Sequence, residues 1–221
     1  MKASRLLGMM FSVLLSLTLV SCVAQDANAP ARAEAPVASF RPDLGAGEDE
    51  LHRQLEAEKD RIHDERENNK SLRDRLKQRW DRFRHDNRKL KRDNAPFPMC
   101  EPLAYDAEAK IIGPQGGELH IGPHKLTIPR GALSVPTVVT GEMPVDTLVS
   151  VQLSPHGLNF NRQVTLELSY KHCFLPKEYF YRLAYIDDLL NILELPFSHD
   201  KKGLDEVKGY IEHFSRYAIA Y

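Results

Sequence analysis

The chain has 221 residues, and its 30 Lys and Arg against 31 Asp and Glu leave a formal net charge of −1. That length suits one ordinary domain with extensions. The near balance of charge excludes a global field that would gather nucleic acid or an acidic substrate, although it hides strong local polarity.

Lys2 and Arg5 precede an apolar stretch from Leu6 to Val20 broken only by small and hydroxyl residues. This is the layout of an export signal, residues 1–21, and it is short for a membrane-spanning helix of about 20 residues. It ends in Leu19-Val20-Ser21-Cys22, which resembles the bacterial lipobox. The resemblance implies that the Cys22 thiol receives a diacylglycerol, that cleavage makes Cys22 the first residue of the mature chain, and that the new amino terminus is acylated. The expected partner of this end is a membrane, and the expected location is the bacterial cell envelope. Val23 stands where inner-membrane retention in enteric-type sorting would show aspartate, which points to the outer membrane in a cell that has one.

From Cys22 to Gly47 the chain carries Pro30, Pro36, Pro42, Gly45 and Gly47, with Phe40 almost alone as a large apolar residue. Such a composition cannot build a core and is expected to be a disordered tether. Residues 48–94 contain no proline or glycine and are rich in charge, so one long charged helix is expected. Leu55, Ile62, Asn69, Leu76, Phe83 and Leu90 form one heptad column, but the positions three residues further on are Glu58, Glu65, Leu72, Arg79, Asp86 and Asp93. A stable coiled coil needs both columns apolar, so the pattern fits a solvated single helix or weak self-association through residues 48–94. Charge is polarised along the helix, with nine acidic and four basic residues in Glu48–Glu67, then eleven basic and four acidic in Asn68–Asp93. That order suits the helix dipole. Trp80 and Phe83 in the basic half are the only hint of nucleic-acid binding, and an exported chain argues against it; no nucleic-acid partner is expected.

Asn94-Ala95-Pro96 and Pro98 stop the helix. The remainder, residues 97–221, alternates apolar and polar residues between turn-forming clusters. Val149, Val151 and Leu153 form one such run, Val164 to Tyr170 a second, and Tyr179 to Tyr185 a third, with turns at Asp187-Asp188 and Lys202-Gly203. An all-β C-terminal β-sandwich is the expected fold, and its length of about 125 residues can bury a core. With Cys22 assigned to lipid, Cys100 and Cys173 are a candidate disulfide in an oxidising compartment, against the alternative of two free buried thiols.

Three stretches narrow the reading: Gly116-Gly117-Glu118-Leu119, then Leu126-Thr127-Ile128-Pro129-Arg130-Gly131-Ala132-Leu133, then Leu153-Ser154-Pro155-His156-Gly157-Leu158-Asn159-Phe160. In order and spacing they resemble the ZU5 domain, the β-sandwich of zonula-occludens scaffolds, netrin receptors and ankyrins. The resemblance covers roughly residues 111–221, and Gln163 departs from it where the family usually has proline. The final strand adds Ile211-Glu212-His213-Phe214-Ser215-Arg216-Tyr217. In ZU5 relatives among death-domain adaptors and inflammasome sensors a His-Phe-Ser triplet at this place marks self-cleavage between Phe and Ser. The resemblance thus implies cleavage after Phe214, with Ser215 as nucleophile and His213 as base. In one extended strand His213 and Ser215 would lie side by side. They also share the parity of Val207, Ile211, Tyr217, Ile219 and Tyr221, so a packed face with a structural histidine fits equally well.

No other constellation reaches the level of a site. His120, His124, His156 and His172 have no metal-ligand spacing, and Asp187-Asp188 reads as a turn rather than an acid–base pair. The chain lacks a Gly-rich phosphate loop, a nucleophile elbow and a Cys-x-x-Cys motif, which weighs against an ordinary hydrolase or transferase. No metal and no cofactor are expected. The expected function is a membrane-anchored lipoprotein that displays a non-enzymatic ZU5-like binding or scaffolding domain on a helical spacer. Its ligand would be an envelope protein or cell-surface polymer. The alternatives are a self-cleaving protein and a structural helical assembly protein of the envelope.

Overall fold

The structure, a computed structural model, describes residues 47–86, 96–175 and 178–221. The signal, Cys22 and the tether before residue 47 lie outside the described residues, as does the end of the expected helix at residues 87–94. One long helix, α1 (Glu48–Asp86), comes first and carries Glu48, Asp49 and Glu50 in its opening turn, where the exposed N–H groups favour negative charge. No helix among the described residues is long and apolar enough to cross a membrane.

Eleven strands follow: β1 (Asp106–Ile112), β2 (Gly117–Ile121), β3 (His124–Ile128), β4 (Thr137–Met143), β5 (Ser150–Ser154), β6 (Asn159–Ser169), β7 (Arg182–Ile186), β8 (Ile192–Glu194), β9 (Ser198–Lys201), β10 (Glu206–His213) and β11 (Arg216–Ala220). They form two antiparallel sheets, one ordered β1-β4-β5-β11-β7-β8 and the other β2-β3-β6-β10-β9. The period-two pattern does what alternation demands: Leu126 and Ile128 of β3, Val164, Leu166 and Leu168 of β6, and Val207 and Ile211 of β10 are buried between the sheets. From the other sheet Val139, Val151, Leu153, Leu183, Tyr217 and Ile219 enter the same core. Strand β11 is buried on both faces, because Ala218 and Ala220 join Ala184 and Ile186 in a second cluster under Phe97.

The three stretches singled out from the sequence meet at one end of the strands. Gly131 N–H donates to the Pro114 carbonyl at 2.7 Å, and Asn161 N–H donates to the Ala132 carbonyl at 2.9 Å. Gly116 sits at φ 77°, where a Cβ would run into the Ile128 carbonyl oxygen, so the turn admits only glycine. The strand expected from Tyr179 begins later, at Arg182, because Tyr179 and Phe180 are exposed and stand before the ladder.

The helix departs from the expectation of an isolated spacer. It lies on the outer face of the first sheet, where Ile62 packs with Tyr105 and Val145, and Leu72 and Leu76 of the helix and Ala107 and Ala109 of β1 pack against that cluster. Small side chains on β1 allow this approach. Three cations cross the contact: Arg61 to Glu142 at 2.6 Å, Arg66 to Asp106 at 2.7 Å and Lys77 to Glu101 at 3.1 Å. Arg61 also holds the Glu58 carboxyl below its ordinary value, and Tyr105 donates its hydroxyl to Glu142 at 2.8 Å. The seven-residue column that suggested self-association thus turns, at Ile62, towards the chain's own sheet. Periodicity reveals an apolar stripe but not what covers it.

Candidate functional site

The His213–Ser215 triplet does not lie within one strand. Strand β10 ends at His213 in one sheet, β11 begins at Arg216 in the other, and Phe214-Ser215 is the corner where the chain changes sheets. The parity argument for a side-by-side base and nucleophile therefore loses its premise. A register shift between Ile211 and His213 already disturbs the ladder before the corner. The Phe214 ring is buried and meets Phe160 edge-on at 4.9 Å, so the side chain pins the corner into the core.

A turn clamps the peptide. Phe214 N–H donates to the Leu158 carbonyl at 3.3 Å, the Phe214 carbonyl accepts from Gly157 N–H at 3.2 Å, and the Ser215 carbonyl accepts from Leu153 N–H at 3.0 Å. Gly157 reaches this position at φ 73°. The carbonyl that cleavage would attack thus has a backbone donor, a requirement of acyl chemistry. The base is placed otherwise: the His213 ring stands edge-on to Tyr185 at 4.9 Å and tilted against Tyr217 at 6.1 Å. Among the described residues no hydrogen bond joins His213 to Ser215. Tyr217, whose hydroxyl burial holds above its ordinary pKa, donates to the His213 carbonyl at 2.8 Å. Beyond the corner, Arg216 reaches Asp146 at 3.0 Å. Burial raises the Asp146 carboxyl despite that cation and despite bonds from Leu148 N–H and the Ser150 hydroxyl. The corner is held from every side.

Cys100 and Cys173 are joined by a disulfide with their Cα atoms 4.5 Å apart, which ties the segment before β1 to the loop after β6. The imidazole of His172 approaches the two sulfurs, all three donors lying within 4.8 Å of one another, but the sulfurs are spent on each other and cannot act as thiolates. His124 is buried, and its Nδ1 accepts the Ser169 N–H at 3.1 Å. Desolvation, then the nearby His172, pushes its pKa down to about 3, so the ring stays neutral. His120 and His156 are exposed. Asp187 caps its turn, accepting from Leu189 N–H at 2.9 Å and Asn191 N–H at 2.8 Å.

The strongest surface feature went unread in the sequence. Apart from Met99, every exposed large apolar residue among the described residues falls between Phe174 and Leu204. Leu189 is 83% exposed, Phe180 70% and Phe197 68%. Topology gathers them, because β8 ends one sheet, β9 ends the other, and residues 195–197 connect the two. Lys202 stands 3.9 Å above the Phe180 ring. The pairs Leu189-Leu190 and Ile192-Leu193 break the alternation of a half-buried strand, and that irregularity was the available signal. The opposite edge is sealed. There Asp106 of β1 accepts from Gly122 N–H at 2.8 Å and Glu108 accepts from His120 N–H, while α1 packs against the face of β1. Side chains cap backbone N–H groups on the β8 side too, Asp200 accepting from Tyr181 N–H at 3.1 Å and Ser198 from Leu183 N–H at 3.0 Å, so what sets that side apart is its cluster of exposed large apolar residues.

No protein-family model matches the chain, and no curated protein aligns with it.

Proposed function

We propose that the chain is a lipid-anchored lipoprotein of the bacterial envelope whose ZU5-like domain binds a protein or cell-surface polymer without catalysis. The single observation that carries the binding role is the cluster of exposed large apolar residues along β8 and its connection to β9, at the end of the two sheets. Monomeric proteins seldom leave such an edge uncovered unless it receives something. The anchor rests on the lipobox-like Leu19 to Cys22, and the family reading on the Gly116, Pro129 and Pro155 motifs. The helix enters as a bracing element of the domain rather than as a free spacer.

A photo-crosslinker placed at Leu193 and, separately, at Glu118 tests the binding role in cells of the source type. A discrete adduct from Leu193 with none from Glu118 is expected; equal labelling from both, or none from either, removes the edge as a binding surface. A lipid precursor should label the wild type and not Cys22→Ser. Self-cleavage after Phe214 is the second reading, favoured by the Gly157 donor on the Phe214 carbonyl. Intact mass separates the two readings: full length throughout supports the binder, and loss of Ser215–Tyr221 that Ser215→Ala abolishes establishes cleavage.

A further inference from the structure

A cavity of about 780 Å³ opens between α1 and the strands beneath it. Arg66, Lys70 and Arg73 reach it from the helix at spacings of four and three, which places them on one helical face. Leu103, Ala104 and Met143 give it an apolar floor. The volume falls in the range of small-molecule sites, and an apolar lining with a few fixed polar groups is their usual chemistry.

The three cations differ in how they are neutralised. Arg66 pairs with Asp106 at 2.7 Å, and Asp106 is further fixed by Gly122 N–H. Lys70 pairs with Glu67 at 2.6 Å on the exposed side of the helix. Arg73 is half-buried, and among the described residues it has no ion pair and no hydrogen bond; its Nε is out of contact with solvent and unpartnered. The two Nη groups also lack an acceptor among the described residues and are not closed off from solvent, so they are the donors that a ligand in the cavity can meet. Asp74, at the rim, is exposed and makes no ion pair among the described residues; its charge opposes a dianion more than a single negative charge.

We propose that this cavity binds an amphipathic monocarboxylate, its carboxylate on the Arg73 guanidinium and its apolar body against Leu103, Ala104 and Met143. A guanidinium suits this head because its planar donors match both carboxylate oxygens. The proposal stands apart from the edge at β8 and β9 and does not depend on it. The test is calorimetric titration of the full chain carrying Cys22→Ser with decanoate, kept below its micelle concentration, with decanol and inorganic phosphate as comparison ligands. Saturable 1:1 binding of decanoate is expected, weakened roughly tenfold or more by Arg73→Met, which keeps the aliphatic stem but removes the fork. Arg73→Lys, which keeps the charge, should fall between, and circular dichroism verifies that each variant is folded. Absence of saturable decanoate binding overturns the site. So does decanoate binding that Arg73→Met leaves unchanged, decanol binding as tight as decanoate, or displacement of decanoate by equimolar phosphate.

Discussion

Acidification should unfold this protein through one imidazole, and the size of the effect follows from where that imidazole sits. His124 is buried and neutral, with Nδ1 accepting the Ser169 N–H and its pKa pushed down to about 3 from an ordinary 6.5. In the unfolded chain the same ring binds a proton below about pH 6.5, so the unfolded state carries more protons between pH 6.5 and 3. Stability is therefore fully present above pH 6.5 and is lost as pH falls towards 3. Between pH 7 and pH 4.5 the loss from this ring is about 2.5 kcal/mol, from about 1.4 kcal/mol per pH unit across the part of that interval below the unfolded pKa. Urea unfolding followed by circular dichroism at the two pH values measures it. His124→Asn supplies the control, because its side-chain oxygen can accept the Ser169 N–H without titrating in this range. His172, also held low by burial, adds a loss of the same sign that persists in the variant, so the difference between the two proteins is the quantity to read. Equal losses in wild type and His124→Asn would refute the reasoning.

Three further substitutions test the architecture. Ile62→Ala should cost about 2 kcal/mol, the low end for a buried isoleucine because its cluster is small, and should make α1 an early site of proteolysis; Arg61→Met should cost less than about 1 kcal/mol, since that ion pair is partly exposed. Replacing both Cys100 and Cys173 by serine should lower stability by about 4 kcal/mol, the chain-entropy value for a crosslink spanning 73 residues, read from the urea midpoint. An unchanged midpoint would mean that the bridge does not constrain the unfolded chain.

Much of the β architecture was legible because period two is a local signal: Val164, Leu166 and Leu168 announce β6 without knowledge of any partner. The proline-free charged run announced α1 in the same way. Apart from the Cys100–Cys173 bridge, what failed was what depends on a neighbour. The stripe through Ile62 looked available for a second helix because sequence does not state that Ala107 and Ala109 would be small enough to receive it. His213 and Ser215 looked adjacent because parity assumes one continuous strand, and the change of sheet at Phe214 is a tertiary event. Arg73 was one charge among many until the cavity separated it from Arg66 and Lys70, whose partners lie at hand. The apolar edge went unread for the same reason: nothing local marks Leu189, Leu193 and Phe197 as exposed, and only the strand order shows that they lie where the sheets end.

The sealing of one edge limits the stoichiometry of anything built on the other. A sheet that is open on both sides can take a neighbour at each and so propagate into a fibre. Here the carboxylates of Asp106 and Glu108 occupy the N–H groups of Gly122 and of His120 in β2, so the β2 end of its sheet is closed to a neighbouring strand. Growth of that sheet through β2 is blocked. A second copy or a different partner added at the β9 end would extend that sheet in one direction only. For the sheet that runs from β2 to β9, joining is therefore one-sided.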